Sequence, residues 1–165
     1  MKNIIKIKMI IRKAILSDVN EIAKNNILLA KEIEQRNLEF STVQNGSEAV
    51  LSDERNGFYL IAENNHHVIG QVFITFEWSD WRNQTIWWMH RVYVHKQWRK
   101  KGVFTALLQQ IKQMARDNNV YVLRLYVLQS NKNAMNIYKK SGFADAPFII
   151  LQKKTLKNKI GKMTP

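Results

Sequence analysis

The stretch 85–128 constrains the fold of this chain more than any other, because its apolar period changes twice. Residues 85–94, TIWWMHRVYV, predict a long aromatic strand. From about residue 102 the apolar residues recur at helical spacing, and Asp117-Asn118-Asn119 ends that pattern. Residues 120–128, VYVLRLYVL, favour a strand again. A strand-helix-strand connection predicts two roughly parallel strands, with room for a ligand at their carboxyl ends.

The rest of the chain predicts further strands and helices on both sides of this unit. Two apolar runs separated by a polar turn, at 58–63 and 68–78, predict a hairpin that continues into 85–94. The other predicted elements are a strand at 4–12, a helix at 17–34 capped by Ser17, a short helix within 42–54, a helix capped by Ser130 or Asn131 and ended by Gly142, and a final strand at 148–154.

The resulting order is β-α-α-β-β-β-α-β-α-β, without a repeat or linker. It predicts one α/β domain with a mixed, mostly antiparallel sheet that contains one parallel pair and is flanked by helices. We assign this domain to 1–155 and expect a basic C-terminal tail at 156–165. The parallel pair is expected to splay apart after residue 94, where a ligand would bind.

Composition limits the function classes. The chain has no cysteine, which excludes disulfides and thiolate nucleophiles, and no apolar run approaches the roughly 20 residues of a membrane span. Lysines interrupt the apolar N-terminus, so we expect a cytoplasmic protein without membrane association. The net charge of +13 favours anionic partners, although a generally lysine-rich composition would produce it as well.

A cluster of cations precedes the helix that starts near 102. Arg99, Lys100 and Lys101 are followed by Gly102. The first N–H groups of a helix have no intrahelical partner, and the helix dipole places positive potential there. Glycine lets the backbone approach a ligand closely. These features predict an anion site; the alternative is a helix that merely follows a basic turn.

Two motifs around this cluster resemble those of the GCN5-related N-acetyltransferase (GNAT) family. The first is V-Y-V-x4-R-K-K-G-V-F-x2-L-L, which begins at Val92, and the second is NKNAMNIYKKSGF, residues 131–143. The resemblance implies the GNAT fold, acetyl-CoA as the cofactor, and transfer of the acetyl group to a primary amine by direct attack in a ternary complex. The chain departs from the family pattern where Phe104 replaces a small residue and Lys100 a common glycine.

The resemblance also implies which residues hold the cofactor. Backbone groups of Val92 and Val94 would pair with the pantetheine arm. Amides of residues 99–104 would hold the pyrophosphate, and Asn131 would contact the cofactor from the other side. The full expected set is Val92, Tyr93, Val94, Arg99, Lys100, Lys101, Gly102, Val103, Phe104, Thr105, Asn131 and Tyr138.

Acetyl transfer to an amine requires a general acid and a general base. One residue is a candidate for the acid, and three are candidates for the base. Tyr138 matches the family's general acid; alternatively it is a core aromatic. The family often carries a glutamate on the face shared by residues 88, 90, 92 and 94, but Trp88 stands there. His90, Glu77 and Asp80 are the candidate bases, each with a structural alternative. Trp78, Trp81, Trp87 and Trp88 could line an acceptor pocket or simply pack the sheet.

Two other functions remain open. Abundant aromatic residues and the positive charge suit a single-strand nucleic-acid-binding module, but no RNA-binding signature occurs, so nucleic acid is the weaker prediction. A non-catalytic acyl-CoA sensor is the second alternative, because the strand glutamate is absent. No metal is expected, since the four histidines show no familiar ligand spacing. The acceptor, a small-molecule or protein amine, and the oligomeric state, a homodimer included, are undetermined.

Overall fold

A computed structural model describes residues 8–155 and contains a five-stranded sheet with four α-helices. The strands are β1 (Ile10–Lys13), β2 (Phe58–Asn64), β3 (His67–Ser79), β4 (Gln84–Val94) and β5 (Val122–Arg124). The helices are α1 (Val19–Glu34), α2 (Phe40–Ser52), α3 (Val103–Asp117) and α4 (Lys132–Lys140). In this part of the chain no helix is long and apolar enough to cross a membrane.

The sheet is mixed, as the sequence predicts. Its strands follow chain order, β1-β2-β3-β4-β5, with antiparallel pairs from β1 to β4 and a parallel β4–β5 pair. Helix α3 connects the parallel strands and buries Leu107 and Ile111 completely against the sheet residues Leu60, Ile74 and Met89. Burial of such side chains contributes about 1.5–3 kcal/mol each.

A buried polar network fixes α1 to the opposite face of the sheet. Gln71 of β3 is fully buried; its side-chain oxygen accepts from Asn25 Nδ2 at 3.0 Å, and its Nε2 donates to Asn26 Oδ1 at 2.9 Å. Asn26 Nδ2 in turn donates to the hydroxyl of Tyr59 in β2 at 3.0 Å. Because each buried amide has partners, hydrogen bonds offset the cost of desolvation while the network holds α1 in one register.

A β-bulge interrupts the pairing of β3 with β4. The register shifts between Gln71 and Phe73, so β4 carries one residue more than β3 at this point. Arg91 lies in the bulge and adopts the left-handed conformation, with φ 50°. A non-glycine residue with positive φ is uncommon, and bulges of this kind redirect side chains.

The bulge reverses the side-chain alternation of β4. Trp88 and His90 are stacked on one face, with ring centroids 6.3 Å apart. Val92 and Val94 pack against the α3 side of the core. The prediction that residues 88, 90, 92 and 94 share one face is therefore wrong beyond residue 90, because strict alternation assumes a strand without an inserted residue.

The predicted final strand is also wrong. Residues 148–154 form no strand, and Phe148 and Ile149 are 72% and 82% exposed. The Phe148 ring lies 5.8 Å from the Arg124 guanidinium of β5. A β-branched apolar run predicts a strand only if a partner edge pairs with its backbone, and β5 is paired over three residues rather than the nine predicted. The predicted tail, 156–165, lies outside the described residues.

The N-terminal predictions need two adjustments. β1 covers only the end of the predicted strand 4–12, whose residues 4–7 lie outside the described part. Ser17 does not cap α1, because residues Leu16–Asp18 form a 3-10 turn and α1 begins directly after it at Val19, with Asp18 at the N-cap position. The Asp18 carboxylate accepts from the Ile15 N–H at 2.8 Å and pairs with Arg12 at 2.8 Å. The predictions of Asn131 as a cap and Gly142 as the glycine after α4 are confirmed.

Candidate active site

The open edge of β4 is the first component of the site. The parallel pairing with β5 covers only Ile86–Trp88 opposite Val122–Arg124. From Met89 to Val94, β4 has no partner on this edge within residues 8–155. An extended ligand can add to such an edge as a further strand. The carbonyl of Val94 is already used, because it accepts from Arg99 Nε at 2.9 Å.

The loop between β4 and α3 contains two left-handed residues. Lys100 has φ 60° and Gly102 has φ 82°, and α3 begins directly after at Val103. No atom lies within 4 Å of the position that a Cβ of Gly102 would occupy. The glycine is therefore required by backbone conformation rather than by local crowding. Lys100 adopts this conformation despite its side chain, which explains why a glycine is common here.

The Arg99 side chain forms an ion pair with α1 instead of extending to the open side of the loop. Its guanidinium donates to both carboxylate oxygens of Glu32 in α1, at 2.7 and 2.9 Å. This hydrogen bond lowers the pKa of Glu32 and raises that of Arg99. Lys100 is exposed, and the Lys101 ammonium lies 5.1 Å from the Trp98 ring. The loop thus presents two lysines to solvent, while Arg99 joins α1 to the end of β4.

A cleft of about 680 Å³ adjoins the open edge of β4. Val92 and Asn131 contribute to its wall, and so do His90, Arg91 and Tyr138. Asn131 uses its side-chain oxygen to cap α4 by accepting from the Ala134 N–H at 3.1 Å. The cleft therefore brings the open strand edge together with two of the four predicted proton-transfer residues.

Tyr138 and Phe104 form an edge-to-face pair at the start of α3. Their ring centroids are 5.7 Å apart with an interplanar angle of 71°. Burial raises the pKa of the Tyr138 hydroxyl to about 12, so the side chain keeps its proton at neutral pH. Phe143 packs on Tyr138 in the same manner at 5.9 Å. Phe104 thus turns toward α4 and orients Tyr138.

His90 lies among aromatic rings on the α1 side of the sheet. Its Nε2 is 2.8 Å from Thr75 Oγ1, and its ring centroid is 5.4 Å from that of Tyr126. Burial, and then the nearby positive charge of Arg91, lower the pKa of His90 below its ordinary value. The imidazole is therefore neutral at pH 7 and able to accept a proton.

Glu77 and Asp80, the other predicted bases, do not line the cleft. Glu77 accepts from Trp88 Nε1 and pairs with Arg124 at 3.2 Å, so its carboxylate belongs to a network on the sheet face. Asp80 lies in the β3–β4 turn, where its carboxylate accepts from the Trp81 N–H at 2.9 Å. That turn is about 33 Å of strand away from the loop that follows β4.

The tryptophans have different surroundings. Trp87 is 5% exposed and packs edge-on against Phe58 at 5.4 Å, so it is a core residue. Trp88 lies on the opposite face, as the sequence predicts. Trp78 and Trp81 are 61% and 89% exposed around the β3–β4 turn. None of the four lines the cleft.

Three of the predicted cofactor contacts differ in their exposure to solvent. Tyr93 and Val103 are 5% and 1% exposed, so only their backbone groups can reach a ligand, whereas Thr105 is exposed. Sequence reasoning missed Arg91, Glu32 and Thr75. A charged residue within the aromatic run 85–94 is a signal for Arg91, but nothing in the sequence pairs Glu32 with a residue 67 positions away. In the described part no group of three or more potential metal ligands occurs.

Comparisons with known proteins agree with this architecture. A sequence model described as "Acetyltransferase (GNAT) family" matches residues 25–143. The chain is similar to a protein named thialysine N-epsilon-acetyltransferase from Bos taurus, with 32% identity over 78 residues, which is 47% of this chain and 45% of that protein. The Mus musculus protein of the same name shows 31% identity over the same shares. The chain thus matches about half the length of these curated relatives.

Solved structures resemble nearly the whole chain. A possible acetyltransferase from Clostridium difficile 630 is 36% identical and superimposes with a TM-score of 0.85 over 90% of this chain and 99% of that chain. A predicted acetyltransferase with acetyl-CoA from Clostridium acetobutylicum has a TM-score of 0.72 and 21% identity over 88% and 96% of the two chains, and shows the same fold.

Proposed function

This chain belongs to the GNAT family of acetyltransferases, and on that premise we propose that it transfers an acetyl group from acetyl-CoA to a primary amine by direct attack in a ternary complex. The observation that carries the proposal is the open edge of β4 from Met89 to Val94, which leads into the left-handed loop at the N-terminus of α3. The relatives' name, N-epsilon-acetyltransferase, supports an amine as the acceptor.

The residues present fit acetyl-CoA. The backbone of Val92 and Val94 offers a strand edge for the pantetheine arm. The loop amides around Gly102, next to Lys100 and Lys101, offer donors and positive charge to the pyrophosphate. Bound acetyl-CoA supplies the activated acetyl thioester. Arg99 acts as a positioning residue, because its ion pair with Glu32 holds the loop.

Tyr138 is the proposed general acid. Tyr138 lines the cleft, and burial raises the pKa of its hydroxyl to about 12, so the hydroxyl keeps its proton at neutral pH. It would give this proton to the leaving sulfur. The Phe104 ring packs edge-on against the Tyr138 ring, which would limit the motion of the proposed acid.

His90 is the proposed base. It lines the cleft, whereas the other two candidates, Glu77 and Asp80, do not. In the tautomer that donates from Nε2 to Thr75 Oγ1, the Nδ1 atom is free to accept a proton from the amine, directly or through a water. The lowered pKa keeps this atom unprotonated at neutral pH at the cost of weaker basicity.

Binding of the cofactor is tested by thermal stabilisation with acetyl-CoA. We expect Gly102→Glu to abolish the stabilisation, because it places a carboxylate and a strained φ at the phosphate site. Gly142→Glu is the matched control: Gly142 has φ 94° and no neighbour within 4 Å of a Cβ, as at Gly102. If both variants keep the stabilisation, or the wild type shows none at millimolar acetyl-CoA, the proposal fails.

Turnover is tested by thiol release with a panel of small amines and lysine peptides. We expect Tyr138→Phe to lower kcat about 10²- to 10⁴-fold, the range of general acid catalysis. Tyr121→Phe, on an exposed tyrosine, is the control. Stabilisation by acetyl-CoA without thiol release from any amine would instead identify an acyl-CoA sensor.

A further inference from the structure

One arginine at the cleft, Arg91, forms no salt bridge with any carboxylate of the described residues. Two arginines line the cleft, Arg36 and Arg91. The Arg36 guanidinium pairs with Glu34 at 3.1 Å. Arg91 forms no salt bridge with any residue of the described range 8–155, although Arg99 and Arg124 nearby are both paired with carboxylates. Arg91 is therefore the guanidinium that a ligand in the cleft would meet unneutralised.

The backbone conformation of β4 determines where the Arg91 side chain lies. In a regular β4, residue 91 would share the core face with residues 87 and 89. The bulge inserts one residue at this point and holds Arg91 at φ 50°, with its side chain at the cleft. A left-handed conformation at a non-glycine residue is strained, and such strain persists where the surrounding structure enforces it.

The charge of the cleft disfavours an acceptor that is only cationic. Glu34 is the one carboxylate among its described lining residues, and Arg36 already occupies it. Two arginines and one glutamate leave a net charge of +1, without a free carboxylate to receive a second ammonium. The charge of Arg91 is felt inside the cleft, because it contributes to the lowered pKa of His90. The same charge would lower the pKa of an acceptor amine and favour its neutral, nucleophilic form.

We propose that Arg91 binds a carboxylate carried by the amine acceptor, so that the acceptor class is a small amino acid or an amine with an acidic group rather than a polyamine. This inference rests on the proposed acetyltransferase function. A guanidinium and a carboxylate form charge-assisted, often bidentate hydrogen bonds, which would orient the acceptor along the cleft while its amine reaches the acetyl group.

Lysine, lysinamide and cadaverine test this proposal with acetyl-CoA held constant. Cadaverine is lysine without the carboxylate, and lysinamide keeps the shape but not the charge. For the wild type we expect kcat/KM to be about 10- to 100-fold higher with lysine than with cadaverine, the range that corresponds to a hydrogen bond between charged groups. Lysinamide should behave like cadaverine.

Arg91→Met should remove this preference by lowering kcat/KM much more for lysine than for cadaverine, and Arg91→Lys should retain part of it. Arg82→Met, which removes the same charge from the β3–β4 turn, should leave the preference intact. Equal activity of the wild type with lysine and cadaverine, equal losses for both amines in Arg91→Met, or a raised KM for acetyl-CoA in that variant would overturn the inference. If no amine is acetylated by the wild type, the proposed function itself fails; a preference for cadaverine would refute only the role of Arg91.

Discussion

His90 and Arg91 are adjacent in the chain, but they have different electrostatic surroundings. His90 is packed among Trp88, Tyr126 and Phe73, and its pKa is lowered first by burial and then by the charge of Arg91. Because the folded pKa lies below that of the unfolded chain, the unfolded state binds more protons between the two values. His90 therefore contributes stability that is present above about pH 6.5 and is lost as the pH falls through its folded pKa.

Arg91→Met is expected to raise the pKa of His90 without restoring its ordinary value, because burial, the larger cause, remains. An NMR titration of the His90 ring protons would measure this shift without any substrate. Arg82→Met provides the control. An unchanged His90 pKa in Arg91→Met would show that the Arg91 charge does not reach the cleft, and would weaken its assignment as a carboxylate receptor as well.

At the residue scale, the sequence singled out candidate residues but did not predict their contacts. Local motifs singled out Tyr138 and Gly102; in the structure Tyr138 lines the cleft, and Gly102 adopts a left-handed conformation directly before α3. The ion pair of Arg99 with Glu32 does not follow, because it joins residues 67 positions apart and depends on how α1 crosses the sheet. Phe104 stands where the motif has a small residue, and its ring packs on Tyr138.

At the level of elements, the Glu32–Arg99 pair connects α1 to the loop after β4. Both side chains are about one-third exposed, so solvent screens the pair. We expect Glu32→Gln to lower the free energy of unfolding by about 0.5–1 kcal/mol, near the upper end for exposed pairs, because the bidentate geometry is good. The acetyl-CoA affinity should change less than about threefold if Arg99 positions the loop, as we propose, rather than holding the phosphates.

Urea unfolding and acetyl-CoA titration would measure the two effects separately. Glu34→Gln is the control, since Glu34 lies in the same helix but pairs with Arg36 two residues away rather than with another element. If Arg99 held the pyrophosphate, Glu32→Gln would free it and tighten acetyl-CoA binding markedly, and Arg99→Gln would weaken binding at least tenfold.

The order of the elements could be predicted from the sequence, but not their pairing. Periodicity identified all five strands of the sheet and the four helices, because each carries its own apolar pattern. Strand 148–154 was predicted for the same reason and is absent, since a strand also needs an edge partner. The bulge at Arg91 could not be predicted either, because it arises from the register between β3 and β4.

For the whole molecule, the distribution of charge distinguishes a cofactor site from a nucleic-acid surface. Five of the lysines, Lys2, Lys6, Lys157, Lys159 and Lys162, lie outside residues 8–155, so +8 of the net +13 falls on the described part. Within it, Arg12, Arg36, Arg55, Arg99 and Arg124 are paired with carboxylates. Part of the excess charge is therefore spread over the two ends of the chain, and part of the arginine charge in between is neutralised by neighbouring carboxylates.

Dispersed charge predicts weak, salt-sensitive binding to polyanions that is separate from acetyl-CoA binding. The triple substitution of Lys157, Lys159 and Lys162 by glutamine should reduce the slope of log affinity against log salt for single-stranded DNA by up to about 2, because each phosphate contact contributes about 0.7. Thermal stabilisation by acetyl-CoA should not change, since the loop at Lys100–Gly102 is intact. Fluorescence anisotropy at several salt concentrations would measure the slope. A specific affinity that persists at high salt and survives the triple substitution would instead support the nucleic-acid-binding module, because base stacking, unlike counterion release, does not fall steeply with salt.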